Sequence, residues 1–282
     1  MHNLELFLEQ NIYQEGLKFY GLGNKEYAKQ LALRWHNDLN SSDTLRWKEV
    51  ESFGDHKGKI LDMACGCGTF LFSGLRKGYD VYGIEPEEYK LKYMGMKIDE
   101  INYPQEWKAR IIKGVGENLP FKNDTFDYIE SAQTLEHVQD FRKCLDEMLR
   151  VLKVGGKIRI SAPDYGGFYE AHYRLPFLPK MNRKLASFYL KILNRPTGGL
   201  DMINYITSID IMEYLKKYKN LNTIDLAKSY KDRRAEKINK NFKVGKYLSR
   251  MIANIIYYRQ EYLFVKPKVI NIVIIKEERN AI

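Results

Sequence analysis

Cysteine is scarce in this 282-residue chain: there are three, and two of them, Cys65 and Cys67, sit in one glycine-containing turn. That number supplies neither a disulfide framework nor two thiolate pairs for a structural zinc. Cys65-Gly66-Cys67 is better explained as small residues filling a tight turn than as part of a metal site. Long apolar runs are missing too, since no stretch approaches the roughly 18–20 residues needed to cross a bilayer. The opening MHNLELFLEQ carries acids where a secretion signal carries basic residues. The expectation is a protein made and kept in the cytoplasm. Internal repeats and low-complexity segments are absent as well. With 44% hydrophobic and 13% aromatic residues, the chain has material for a full core in one domain with an insertion or two.

Charge is present in quantity but unevenly. The net charge is +10; residues 151–282 hold 26 Lys+Arg against 11 Asp+Glu, and residues 1–150 hold 20 against 25. A solvated basic face is the ordinary meaning of such an excess. The sharper meaning is an anionic acceptor or surface: a sugar phosphate, a phospholipid headgroup or nucleic acid.

The most informative stretch is ILDMACGCGTF at 60–70, followed by VYGIEP at 81–86. It predicts a buried strand, a glycine turn at Gly66 and Gly68, a helix starting at Thr69, and a second strand closing on the acid Glu85. Glycines let the backbone approach a ligand, helix-start amides favour an anionic group, and the strand-end acid suits a ribose diol. Such a site binds an adenosine. A dinucleotide fingerprint wants a third glycine, where this chain has Leu71.

Asp62, Gly66 and Gly68 fit a D-x-x-x-G-x-G motif, and two further blocks follow in order: GVGENLPFKNDTFDYIESAQTLEHV at 114–138 and LRVLKVGGKIRISAP at 149–163. Together they resemble the class I S-adenosylmethionine (SAM) methyltransferases of the type 11 kind, over roughly residues 55–165. The resemblance implies an α/β fold with a Rossmann-like, seven-stranded, mostly parallel sheet and helices on both faces. It also implies a helical cap over 1–54 and a methyltransferase domain over 55–282 with insertions at 164–207 and 228–262. By the same resemblance SAM is the cofactor. Asp62 and the loop Ala64, Cys65, Gly66, Cys67, Gly68 face its methionine end; Glu85 and Pro86 face the ribose, and Gly116 and Glu117 the adenine. Ser131 and Ala132, closing the fourth strand, complete the contacts. One position departs from the pattern: Val115 stands where many relatives carry an acid.

The remaining elements follow from periodicity. Helical spacing such as Leu31, Trp35, Leu39 fills 4–51. Strands are expected near 59–63, 79–84, 109–113, 126–131 and 156–162, and helices near 69–77, 87–101 and 140–153, the last stopped by Gly155 and Gly156. Beyond Pro163 a proline- and glycine-containing segment, 164–207, lies past the carboxyl end of the fifth strand, where it can wall an acceptor pocket. A helix over 208–219 starting on Ser208 or Asp210, a strand near 221–227, a basic stretch over 228–262 and a final strand at 269–276 complete the chain. Within the basic stretch, Val244, Leu248, Met251 and Ile255 share a helix face beside Lys243, Lys246 and Arg250. Such a row more commonly packs on its own domain; the alternative is contact of 243–259 with an anionic membrane.

Methyl transfer from a sulfonium is an in-line displacement, so alignment comes first and a base is needed where the acceptor is a hydroxyl. Of the five histidines, His2, His36 and His56 lie in the terminus, in the N-terminal helices and in the lead-in to the first strand. His137, in LEHV, lies at the carboxyl edge of the sheet where the methyl group is presented, a candidate for a catalytic role or for a structural or SAM-shell one. His172 lies in H-x-x-x-P-F-L-P (His172, Pro176, Phe177, Leu178, Pro179), similar to a stretch in methyltransferases of surface-polysaccharide gene clusters. The expectation is His172 as general base, Asp164 orienting it or binding the acceptor, and Arg174 or Arg183 meeting a phosphate; a turn-capping His172 is the competing reading. The leading acceptor is a sugar or lipid-linked saccharide, methylated at oxygen. A quinone, lipid or RNA acceptor and a non-catalytic SAM-fold binding protein are the alternatives, with nucleic acid disfavoured because neither a base-amine motif nor an RNA-binding module is present.

Overall fold

Ile60, Leu61 and Met63 are all buried, and their alternation sends them to opposite faces of one sheet. The strand that holds them, β1 (Lys59–Met63), lies inside a seven-stranded sheet in this computed structural model, which describes residues 2–39, 41–52, 58–262 and 268–278. His56 lies outside the described residues. Along the chain the sheet takes up β2 (Asp80–Glu85), β3 (Ile111–Lys113), β4 (Phe126–Ala132) and β5 (Leu152–Pro163). Two short strands, β6 (Tyr169–Glu170) and β7 (Leu175–Pro176), form a separate ribbon, and β8 (Leu221–Asp225) and β9 (Val269–Lys276) return to the sheet. The order is β3-β2-β1-β4-β5-β9-β8; β1 to β5 pair in parallel, and β9 is antiparallel to both neighbours.

Because β2 lies on one side of β1 and β4 on the other, the strand order reverses there. In a sheet of this kind the crevice outside the carboxyl ends at that reversal holds the ligand. Helices cover both faces. On one, α6 (Phe141–Val151) sets Leu145, Met148 and Leu149 against Leu61, Met63 and Ile129. On the other, α4 (Thr69–Arg76) and α5 (Glu88–Ile101) pack Phe70, Leu71, Tyr93 and Met94 on Ile60 and Val81.

The N-terminal part is helical: α1 (His2–Glu15), α2 (Lys25–His36) and α3 (Ser41–Ser52). Trp47 of α3 is fully buried, stacked on Phe70 at 4.2 Å and on Tyr79 at 4.8 Å, and its Nε1 donates to the Phe70 carbonyl. Leu39 falls past the end of α2 and is exposed, so it leaves the face shared by Leu31 and Trp35. Glycines 155 and 156 do not stop α6: the helix ends at Val151 and β5 begins at once, with Gly155 at φ +79° and Gly156 against the Leu152 side chain and the Asp127 carbonyl.

The segment after β5 carries the β6–β7 ribbon and α7 (Arg183–Ile192) over a small core of Tyr165, Tyr173, Phe177, Leu190 and Ile203. Next, α8 (Ser208–Leu215) is capped by Thr207 in a reciprocal capping box with Asp210, one residue earlier than the sequence suggests. The basic stretch forms α9 (Leu226–Phe242) and α10 (Lys246–Tyr262), which pack on each other. Among the described side chains of α10 the small residues Ser249 and Ala253 are buried, while Leu248, Met251 and Ile255 stand exposed rather than packed on the domain. Among the described residues no helix is long and apolar enough to cross a membrane.

Candidate active site

The turn after β1 is built from left-handed residues: Ala64 (φ 54°), Gly66 (φ 59°) and Gly68 (φ 78°). Cys65 N–H donates to the Ile84 carbonyl and Gly68 N–H to the Cys65 carbonyl, which tie the turn to β2 and close it ahead of α4. At Gly66 a side chain would meet nothing within 4 Å; at Gly68 it would strike Met94 and Phe72. The first glycine therefore borders open space and the second is held by packing. Burial pushes the Cys65 thiol well above its usual range and the Cys67 thiol up to about 12, so both stay protonated among apolar neighbours.

Two buried carboxylates flank this turn. Glu85 Oε2 accepts from Gly66 N–H at 2.8 Å and Oε1 from Glu87 N–H at 3.1 Å, while Lys90 Nζ stands 3.8 Å away. Pro86 follows at the exposed strand end. Asp62 Oδ1 accepts from Arg46 Nη2 at 3.2 Å and its Oδ2 has no hydrogen-bond partner among the described residues. Burial pushes Asp62 up to about 7 against the pull of Arg46. Ser131, opposite Met63 on β4, is likewise buried with an unpartnered Oγ, and Ala132 is next to it. An open cradle at Gly66, a carboxylate with a spare oxygen and a spare hydroxyl match a ligand with an ammonium and a diol, which SAM carries.

The third block lies against the neighbouring helix. Gly116 is close to Cys144 and Met63, and Glu117 Oε1 accepts from Gln139 N–H at 2.6 Å and Asp140 N–H at 3.2 Å. One oxygen of Glu117 is thus engaged by backbone at the start of α6. The segment behind it is tied by Glu147, which accepts from Leu119 N–H at 2.7 Å and from Arg150, while Arg150 also donates to the Leu119 and Phe121 carbonyls. The Arg150 guanidinium holds the Glu147 carboxyl below the usual carboxylate range. A lowered acid stabilises the fold above its ordinary pKa and ceases to do so as pH falls through the folded value. Glu147→Gln is therefore expected to cost about 1–3 kcal/mol at pH 7, and the gap between the urea midpoints of variant and wild type should narrow as pH falls below the ordinary carboxylate range.

Past the ends of β4 and β5 a second polar group assembles. His172 Nδ1 lies 2.8 Å from Glu170 Oε1, and His172 Nε2 lies 3.1 Å from His137 Nε2. His137 Nδ1 is 3.0 Å from the Met202 carbonyl. Glu136 is fully buried, neither of its carboxylate oxygens has a hydrogen-bond partner among the described residues, and burial pushes it up to about 7. Tyr20, from the widened helical turn Gly16–Tyr20, stacks on His172 at 5.5 Å. Tyr165, stacked on Tyr205 at 4.9 Å, sends its hydroxyl to Glu170.

The structure brings His137 and His172 together and corrects the partner of His172. Asp164 accepts from Gly166 N–H, Ser208 N–H and Ser208 Oγ, and stands 3.3 Å from Lys268 Nζ. It ties the insertion to the start of α8, and the carboxylate at His172 Nδ1 is Glu170. Arg183 donates to the Leu200 and Ile203 carbonyls, and Arg174 lies over the Tyr27 ring at 3.8 Å, so both have structural partners. Arg46, Glu136, Glu170 and Tyr20 are the site residues that the sequence does not single out. Glu136 adjoins His137 and Glu170 lies two positions before His172, so proximity was their one available signal.

A family model described as a methyltransferase domain matches residues 61–160, which run from β1 through β5. The demethylmenaquinone methyltransferase of Bacillus subtilis (strain 168) is 31% identical over 184 residues, covering 61% of this chain and 74% of that protein. The demethylmenaquinone methyltransferase of Geobacillus sp. (strain WCH70) is 29% identical over 170 residues, covering 58% and 67%. Among solved structures, the YcgJ protein of Bacillus subtilis shares the fold at a TM-score of 0.51 and 18% identity, over 84% of this chain and 99% of that one. The phosphoethanolamine N-methyltransferase 2 of Haemonchus contortus shares it at 0.51 and 16%, over 84% and 53%. With the glycine turn, its flanking carboxylates and the sheet reversal in place, the chain belongs to the class I SAM-dependent methyltransferases.

Proposed function

We propose that this methyltransferase acts on a hydroxylated ring of the quinone class, held between the sheet edge, the N-terminal helices and the 164–207 segment. The observation that carries this reading is the likeness to demethylmenaquinone methyltransferases, which extends beyond the SAM motifs. Two part-exposed aromatic rings at the acceptor side, Tyr20 and Tyr205, support it because a flat ring packs well against them. Residues 1–54 then act as a cap, and 164–207 as the acceptor wall of the 55–282 domain.

SAM supplies an electrophilic methyl group. In this reading Glu85 fixes its ribose, and Asp62 with the Gly66 turn holds its methionine end, so that the sulfonium faces the acceptor. His172, held through Nδ1 by Glu170, accepts the ring hydroxyl's proton at Nε2. The electron pair left on the acceptor attacks the methyl carbon, and the S–C bond breaks toward sulfur.

A lipid-soluble acceptor also gives a use to the exposed row Phe242, Tyr247, Leu248, Met251 and Ile255, which stands beside Lys243, Lys246 and Arg250. The test is transfer of labelled methyl from SAM to a reduced demethylated quinone, a sugar-nucleotide pool and RNA in parallel. Label in the quinone is expected. Label confined to the sugar pool would replace this acceptor with a glycan, as the His172-to-Pro179 stretch suggests, and label confined to RNA would overturn both.

A further inference from the structure

We propose that Glu136, His137 and His172 form a site for one divalent transition-metal ion. Their ligand atoms all lie within 4.8 Å of one another. The hydrogen bonds fix which atoms are free. The Met202 carbonyl can only accept, so His137 carries its proton on Nδ1 and leaves the lone pair on Nε2. The Glu170 carboxylate accepts in the same way from His172 Nδ1, so in the neutral imidazole Nε2 of that ring is an acceptor too. Two acceptor nitrogens thus face each other across 3.1 Å, beside a fully buried carboxylate with no partner on either oxygen. Three electron-pair donors converge.

A cation resolves this arrangement. With metal–nitrogen bonds of about 2.0–2.1 Å, a 3.1 Å nitrogen separation subtends roughly 100° at the ion, between octahedral and tetrahedral values. Two imidazoles and one carboxylate suit zinc, iron or cobalt better than magnesium or calcium, which prefer oxygen alone. The supporting contacts match as well: a metal-bound imidazole donates its other N–H to a carboxylate or a backbone carbonyl, and Glu170 and Met202 occupy those places. His137 is exposed, so the ion keeps an open side. The ligands come from the end of β4 and from the insertion, so the ion also fastens the acceptor wall to the sheet.

If the acceptor reading above holds, an acceptor oxygen takes that open position and releases its proton to water, and His172 is then a ligand, with its role as base confined to the ion-free protein. The site itself does not depend on that reading.

The test is titration of chelator-treated full-length protein with Co²⁺ and Zn²⁺, followed by equilibrium dialysis and by the visible absorption of bound Co²⁺. One ion per chain is expected. His137→Ala and His172→Ala should each weaken binding at least 100-fold, and Glu170→Ala by 10–100-fold through loss of its orienting bond. A SAM-induced rise in melting temperature, retained in each variant, reports that the fold is intact. Absence of stoichiometric binding, or binding unchanged by both histidine variants, overturns the site and leaves a histidine pair sharing a proton. If the ion binds but no quinone is methylated, the acceptor reading fails and the site stands. If chelated protein that takes up no ion still methylates the quinone, the reverse holds.

Discussion

Glu85→Ala is expected to lose the thermal stabilisation that SAM gives the wild-type protein. The Glu85 carboxylate is 2% exposed and ties the Gly66 amide to the start of α5. Removing it deletes two charge-assisted bonds and the proposed ribose acceptor together, and each such bond contributes about 1.5–3 kcal/mol. Affinity should fall at least about 100-fold on that basis. At a SAM concentration of a hundred times the wild-type Kd, stabilisation then drops from about 2.7 kcal/mol to about 0.4 kcal/mol. Glu85→Gln keeps the shape but offers an N–H to one of the two amides, so it should lie between. A full SAM-induced shift in Glu85→Ala would show that the ribose is held elsewhere.

Arg46→Ala should be the most destabilising exchange of a polar residue near the SAM turn. From α3, Arg46 donates to Asp43 at 2.9 Å, Glu130 at 3.0 Å and Asp62 at 3.2 Å, and its guanidinium covers the Phe70 ring at 4.3 Å. Without it Glu130 keeps Arg159 and Tyr128, but Asp62 is left buried with no hydrogen-bond partner among the described residues. Breaking a buried ion pair in this way costs about 3–5 kcal/mol. Arg46→Lys should recover part of that, since a single ammonium cannot reach three carboxylates.

The loss should depend on pH in a fixed direction. Asp62 has a folded pKa near 7 against an ordinary 3.8, so ionising it costs the fold stability, and that cost develops as pH rises from about 4 to 7. Removing Arg46 takes away the opposing attraction and raises the folded value further. The difference in unfolding free energy between wild type and Arg46→Ala should therefore be larger at pH 8 than at pH 5.5. A difference that shrinks with rising pH would mean that Asp62 stays neutral and that the cost comes from lost packing over Phe70.

Local pattern was enough for the frame. The alternation of Ile60, Leu61 and Met63, the glycines at 66 and 68, the acid at 85 and the amphipathic face of α6 place a strand, a turn, a second strand and a helix, because each is specified by neighbours a few positions away. The SAM turn was legible for the same reason. Element ends were less so: α6 yields to β5 at Leu152 because the Phe126–Leu152 pairing captures the backbone before the glycines are reached.

Partners distant in sequence were decided by the tertiary structure alone. Arg46 meets Glu130 across 84 positions, His137 meets His172 across 35, and Lys268 stands beside Asp164 across the whole of α9 and α10. No spacing rule encodes such pairs, because which insertion segment returns to the sheet edge depends on how the small core around Tyr173 and Leu190 packs. That packing gave His172 the nearby Glu170 and committed Asp164 to Ser208. The sequence by itself determined the α/β class, the SAM turn and the presence of a histidine at each side of the acceptor edge. Only the folded chain decided that the two imidazoles face each other over an unpartnered carboxylate, since burial and long-range contact, not local propensity, set the environment of a side chain.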